Sequence, residues 1–166
     1  MDIDPLTQLS MSLSKPKSRT EQLRLTCCAI SDIVPNANRI SLWQFNQDKS
    51  AISCLALLDD KDFSEPKGLV LTREDFPPYF AAILKRESIS ASDARNHPDT
   101  ACFNESYFFE KDIYSLLDYI FSHEFVPFGI ICCESVGRQV EWTDEDLENV
   151  KRAARIVSIF STMEAI

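Results

Sequence analysis

Cysteine and histidine are the side chains through which this sequence could most directly do redox or metal chemistry, and their spacing argues against both. Six cysteines are present, including the adjacent pairs Cys27-Cys28 and Cys132-Cys133. The first pair falls in a helix-patterned segment. The second falls in a strand-patterned one, where neighbours point to opposite faces, which suits separate packing sites better than a vicinal disulfide. No C-x-x-C occurs, and with only His97 and His123 beside the thiols a zinc site is poorly supported. Buried, reduced thiols are the expectation. His97, in a Pro-flanked loop, and His123, in a polar turn, read as surface or capping residues. Nucleophilic hydrolysis finds neither a G-x-S-x-G nor a base beside any serine. Asp118 is different: it falls mid-strand between Leu117 and Tyr119, where an ionised carboxylate is costly without a partner. Either the protein or a ligand must supply its donor, and the residues alone leave both open. Trp43, a lone aromatic in an apolar strand, reads as packing.

The elements that must hold these side chains are well marked. Ser18-Arg-Thr-Glu21 offers a capping box, and Leu23, Cys27, Ile30 and Val34 form a helical stripe that stops before Pro35. Ile40–Phe45 and Ala51–Leu58 flank the turn-rich Asn46–Ser50 and read as a hairpin. Asp59–Lys67 reads as a charged surface loop, Leu69–Leu71 as a short strand, Phe76–Lys85 as a short helix and Ser88–Ser92 as a brief strand. His97-Pro-Asp-Thr100 starts another small helix carrying Phe103, Tyr107, Phe108 and Phe109, an aromatic cluster able to plug a cavity or line one. A second hairpin runs from Tyr114 to Val136 through Ser122–Phe125. The last helix begins at Thr143, with Asp146 at the third position of a capping box and Trp142 placed to staple onto Leu147. Its apolar positions, Leu147, Val150, Ala154, Val157 and Phe160, form one inward stripe. A flexible leader is expected over residues 1–17 and a single domain over 18–166.

At 166 residues the chain is long enough for one proper core. Lys and Arg number 17 against 26 Asp and Glu, for a net charge of −9, which argues against nucleic acid or an anionic membrane surface as partner. No apolar run approaches the roughly 20 residues of a membrane span, and the first residues lack an apolar signal core, so a cytoplasmic protein is expected.

In order and spacing, Arg39–Phe45, the Asp93-Ala-Arg95 and Pro98-Asp-Thr100 pair, Ser115–Asp118, and Gly129–Glu134 with its Trp142-Thr143 helix start resemble the bacterial GAF sensor domain over about residues 18–164. The resemblance implies an α+β fold of GAF type, related to PAS domains. A central antiparallel sheet of about five or six strands would carry the N- and C-terminal helices on one face and short helices and loops over a pocket on the other. It also implies a non-catalytic sensory or regulatory role in signal transduction with a small-molecule ligand, in a family whose members can be coupled to an output domain. Fold alone does not name the ligand.

Positions matching the family's pocket are Trp43, Asp93, Arg95, Tyr107, Asp118 and Glu134. Arg95 would suit bidentate capture of a carboxylate or phosphate. Its alternative role is to pair with Asp93 or Asp118 and pin the loop to the sheet. Cyclic-nucleotide members carry an Asn-Lys…Phe…Asp-Glu signature, and although Asn104, Phe109 and Asp112 are present, the Asn-Lys and Asp-Glu pairs are not. Haem or bilin attachment finds no suitable ligand residue. The redox alternative is a free-methionine-sulfoxide reductase on the same fold, which uses cysteines over the pocket; here only Cys102 lies in the cover, with no sign of a lowered pKa or a resolving partner. No cofactor or metal is expected. Ile156, Ile159, Met163 and Ile166 recur on a neighbouring face of the last helix, and predict either a homodimer through the terminal helices or packing against Leu23, Leu25 and Ile30.

Overall fold

The computed structural model describes residues 3–160. Its scaffold is a seven-stranded antiparallel sheet in which β3 (Asp62–Ser64), β2 (Ala51–Asp59), β1 (Arg39–Phe45), β7 (Val126–Val136), β6 (Ile113–His123) and β5 (Ser88–Ala91) lie in that order. The short β4 (Val70–Thr72) pairs with the other end of β2. The sheet is slightly wider than the sequence suggests because Asp62–Ser64, within the stretch read as a charged loop, adds a three-residue edge strand. Charge and Pro66 hide such a strand, since an edge strand need not be apolar.

Alternation, broken only at bulges, divides the strands between two cores. Ile40 and Leu42 of β1, Leu117 and Phe121 of β6, and Ile131 and Cys133 of β7 face a helical layer. That layer holds α1 (Pro5–Leu13), α2 (Arg19–Ile33) and α5 (Asp144–Phe160). Trp43, Leu116, Ile120, Ile130 and Cys132 face the opposite way, under α3 (Pro77–Arg86) and a chain of tight turns. These turns are a 3₁₀ turn at Ala101–Phe103, a π-helical turn at Asn104–Phe108 and α4 at Phe109–Lys111. A bulge between Leu42 and Trp43 leaves Leu55 of β2 without a partner on β1, so that Trp43 sits opposite Cys54. On β7, Gly129 pairs with Gln44 of β1 and Phe121 of β6, and glycine is required there: a Cβ would run into the Trp43 carbonyl and the Phe121 ring.

The helix starts follow the sequence. Ser18 accepts from the Glu21 amide at 3.2 Å. At α5 the Thr143 amide donates to Asp146 Oδ2 and the Asp146 amide donates to Thr143 Oγ1, both at 3.0 Å, a reciprocal capping box. The N-terminal segment departs from expectation. Where a flexible leader is anticipated, Asp4 caps a helix over Pro5–Leu13 through the Thr7 amide, and Leu6 and Leu9 are buried against the α2 and α5 layer. Its polar composition conceals two leucines spaced for one helical face. Arg152 of α5 closes the contact on Asp4 at 3.0 Å.

Candidate functional site

The face of the sheet under α3 carries an unusual line of polar residues. Because Arg39, Ser41 and Trp43 alternate with Ile40 and Leu42, β1 turns the former set toward this side. Register places Arg39 opposite Glu134, Ser41 opposite Cys132, and Cys132 in turn opposite Asp118 of β6. Asp118 and Glu134 are thus diagonal neighbours on adjacent strands, about 7–8 Å apart at the backbone and within side-chain reach. Both are almost wholly buried.

Each carboxyl group is met by a tyrosine from the cover. Tyr79 of α3 donates its hydroxyl to Asp118 Oδ2 at 2.5 Å, and Tyr107 of the π-helical turn donates to Glu134 Oε1 at 3.0 Å. Arg39 lies with its Nε 3.3 Å from the same Glu134 oxygen and its Nη1 3.1 Å from Asp59 Oδ2, its guanidinium 5.8 Å from the Tyr107 ring centre. The Nε hydrogen is not aligned for a bond, so this is an ion pair without a hydrogen bond. The second oxygens, Asp118 Oδ1 and Glu134 Oε2, have no partner at all. The Cys132 thiol, opposite Asp118 and two residues before Glu134, is close enough to both carboxyls to ease their ionisation.

These groups surround a small cavity lined by Trp43, Tyr79, Phe103, Tyr107, Asp118 and Glu134 together with Ile52, Leu71, Leu116 and Cys132. Its volume is about 10 Å³, room for about one water. Burial dominates the electrostatics. It pushes Asp118 up to about 7, against smaller lowering by Cys132 and Tyr79. It pushes Glu134 up to about 7 as well, with Arg39 the main opposing influence. Burial also drives the Tyr79 and Tyr107 hydroxyls and the Cys132 thiol well above their ordinary values, so all three stay protonated and act as donors rather than nucleophiles.

Of the residues anticipated at a pocket, Trp43, Tyr107, Asp118 and Glu134 meet at this cavity. Asp93 and Arg95 stand elsewhere. Asp93 is exposed and accepts from the Asn96 side chain within its own turn. Arg95 donates from Nε to the Ile113 carbonyl at 2.8 Å, stacks 3.8 Å from the Tyr114 ring centre, and approaches Asp112 at 3.8 Å. It pins its loop to the start of β6, but through these groups and not through Asp93 or Asp118. Tyr79 and Arg39 were not foreseen. A hydroxyl on the buried stripe Tyr79, Phe80, Ile83 of α3, and a cation on the same strand face as Ser41 and Trp43, were the available signals.

A cavity between an antiparallel sheet and a cover of short helices, with three longer helices behind the sheet, decides the architecture. The fold is that of a GAF domain. The structure is similar to the GAF domain of a phosphoenolpyruvate-protein phosphotransferase from Coxiella burnetii, with TM-score 0.70 and 18% identity over 93% of this chain and 90% of that one. It is similar to the phycocyanobilin-bound GAF domain of a cyanobacterial phytochrome, with TM-score 0.72 and 12% identity over 96% and 94%. It also resembles a free methionine-R-sulfoxide reductase from Neisseria meningitidis in complex with its substrate, with TM-score 0.69 and 12% identity over 93% and 84%. No protein-family model matches the sequence, and no curated protein does. Structures similar to this one thus include a phycocyanobilin-bound domain and an enzyme, so the fold alone does not name the function. Among the described residues, no group of side chains could hold a metal ion, and no helix is long and apolar enough to cross a membrane.

Proposed function

We propose that this GAF domain is a non-catalytic regulatory module that senses a small molecule in the cavity between α3, the π-helical turn and the sheet. The observation that carries the reading is the pair of buried carboxyl oxygens, Asp118 Oδ1 and Glu134 Oε2, left without partners on residues that line the cavity. Buried polar groups are ordinarily satisfied, so an unsatisfied pair beside a void marks a place where an external group completes the hydrogen bonding. The cover suits entry: Phe103 and Tyr107 sit on a 3₁₀ turn running into a π-helical turn, a backbone with fewer regular helical bonds than an α-helix and a frequent companion of functional sites. The phycocyanobilin-bound neighbour supports this use of the same fold.

The reductase alternative draws no support from the thiols. Burial raises the Cys132 thiol in the cavity, pushes Cys54 up to about 12 and also raises Cys102. Self-association through the terminal helices is part of the reading. Ile156 packs into the core, while Ile159 of α5 remains 74% exposed and Phe125 and Val126 at the β6–β7 tip are exposed too; Met163 and Ile166 lie outside the described residues. Native mass spectrometry of the protein purified from its host tests the sensor. A co-purifying small molecule that is lost on Asp118→Asn is expected. A wild type that carries no molecule and whose melting temperature is unmoved by a broad metabolite panel overturns the sensor reading.

A further inference from the structure

The partners already present in the cavity define what a ligand must bring. Both tyrosine hydroxyls are spent on carboxyl oxygens, and the Trp43 indole N–H is spent on Ser41 Oγ at 2.8 Å. The open acceptors are Asp118 Oδ1 and Glu134 Oε2. The unspent donors nearby are the weak Cys132 thiol in the cavity wall and, outside the lining, the Ser41 hydroxyl and Arg39 Nε, the charge of Arg39 being already shared between Glu134 and Asp59. Acceptors and negative charge are therefore in excess, and donors are scarce. The remaining walls are the rings of Trp43, Tyr79, Phe103 and Tyr107 and the aliphatic side chains of Ile52, Leu71 and Leu116. Ring faces attract cations and repel anions.

Resting on the sensing function proposed above, we propose that the ligand is a small primary amine whose ammonium group sits between Asp118 and Glu134 and whose short apolar body lies against the aromatic cover. An ammonium group has three donors and no acceptor, the complement of the two orphan oxygens. It is also about the size of the one water that the cavity admits, so the head fits without moving the strands. The body requires Phe103 and Tyr107 to shift with their turn, which couples occupancy to the shape of the cover. A carboxylate or phosphate meets two carboxyl groups and, from the lining, only the weak Cys132 thiol as an unspent donor, and a neutral alcohol supplies one donor for two acceptors.

Binding also requires ionised carboxyls. The charged and titratable groups facing Asp118 are Tyr79 from α3 and Cys132 and Glu134 from β7, and those facing Glu134 are Tyr107 from the π-helical turn, Arg39 from β1 and Cys132. The tyrosines and the thiol hold their protons and Arg39 keeps its charge, so Asp118 and Glu134 are the groups that titrate near neutrality, with pKa values raised to about 7. Amine affinity should then fall by up to about tenfold for each pH unit below 7 as a carboxyl takes up its proton.

The test uses the whole chain and matched probes of one shape and three head groups: the amines from propylamine to hexylamine, with the corresponding alcohols and carboxylates. Thermal shift and titration calorimetry are run from pH 6 to pH 8.5. At least one amine should raise the melting temperature saturably. Its alcohol and carboxylate should not, its affinity should rise with pH, Asp118→Asn should weaken it at least tenfold, and Asp93→Asn, remote from the cavity, should leave it unchanged. If a carboxylate or alcohol stabilises as well as its amine, or if no amine binds while a compound from the metabolite panel does, the amine assignment falls and the sensor stands. If nothing from either panel binds or co-purifies, both fall. An amine that binds with no pH dependence and survives Asp118→Asn overturns the proposed seat for the ammonium.

Discussion

Asp118 and Arg95, both anticipated at one pocket, behave very differently in the fold. Asp118 keeps one oxygen on Tyr79 and one on nothing, and burial raises its pKa to about 7 from an unfolded value near 4. A raised carboxyl pKa means that the folded state holds a proton the unfolded chain has lost. Its contribution to stability is therefore favourable at low pH and is lost as pH rises between about 4 and 7. Asp118→Asn keeps the acceptor for Tyr79 and removes the titration, so the variant should be more stable than wild type above pH 7, by roughly 1 to 4 kcal/mol, with the difference vanishing below pH 4. Urea melts across that range measure it; a constant difference would mean that Asp118 does not titrate there. Arg95→Ala should instead cost roughly 1 to 2 kcal/mol at every pH, since it loses the bond to the Ile113 carbonyl and the stack on Tyr114. A melt that is unchanged for Arg95→Ala would contradict its anchoring role.

At the scale of elements, capping and close approach matter more than propensity. Both partners of the α5 capping box satisfy an amide at the helix start, and Asp146 is buried while doing so. Thr143→Ala should lower stability by about 1 kcal/mol without altering ligand binding, because α5 packs on the face opposite the cavity. Thermal denaturation read by circular dichroism is the measurement. On β7, Gly129→Ala should be far more damaging. The new methyl has nowhere to go between the Trp43 carbonyl and Phe121, and any relief must shift the β1–β7 ladder that carries Trp43 into the cavity wall. Loss of soluble protein or a broadened melt is expected; a wild-type melting curve would show that the strands yield there more easily than their packing implies.

For the whole molecule, the two faces of the sheet divide the labour. One carries α1, α2 and α5 over a mainly apolar core, and the other carries the cavity with its buried acids. Because β1, β6 and β7 contribute to both, the proposed ligand, by shifting Trp43 or Asp118, would bear directly on the strands beneath α5. A signal read out through α5 requires only that the ligand prefer one arrangement of those strands. If α5 meets its copy across a two-fold axis, Ile159→Glu should convert a dimer to a monomer in light scattering. A monomeric wild type, or an Ile159→Glu dimer of unchanged mass, rules that contact out.

Local chemistry was enough to read most of the scaffold. Serine and threonine caps, the turn at Asn46–Ser50, the period-two strands and the stripe of α5 each act over a few residues, and neighbours in sequence suffice to specify them. Asp118 was conspicuous for the same reason, as a charge among apolar neighbours. Its company was not legible. Glu134 lies two residues past Cys132, which register alone sets opposite Asp118, and Tyr79 reaches Asp118 from 39 positions away. Arg39 rather than Arg95 became the cation of the site because strand alternation turns one toward Glu134, while a loop turn sends the other to Ile113 and Tyr114. The ordering of Pro5–Leu13 likewise came from a groove that α2 and α5 create only once they pack. Sequence determines the elements because capping and alternation are short-range. Which polar groups meet, and which oxygens are left without partners, is decided by register and packing between segments far apart in the chain.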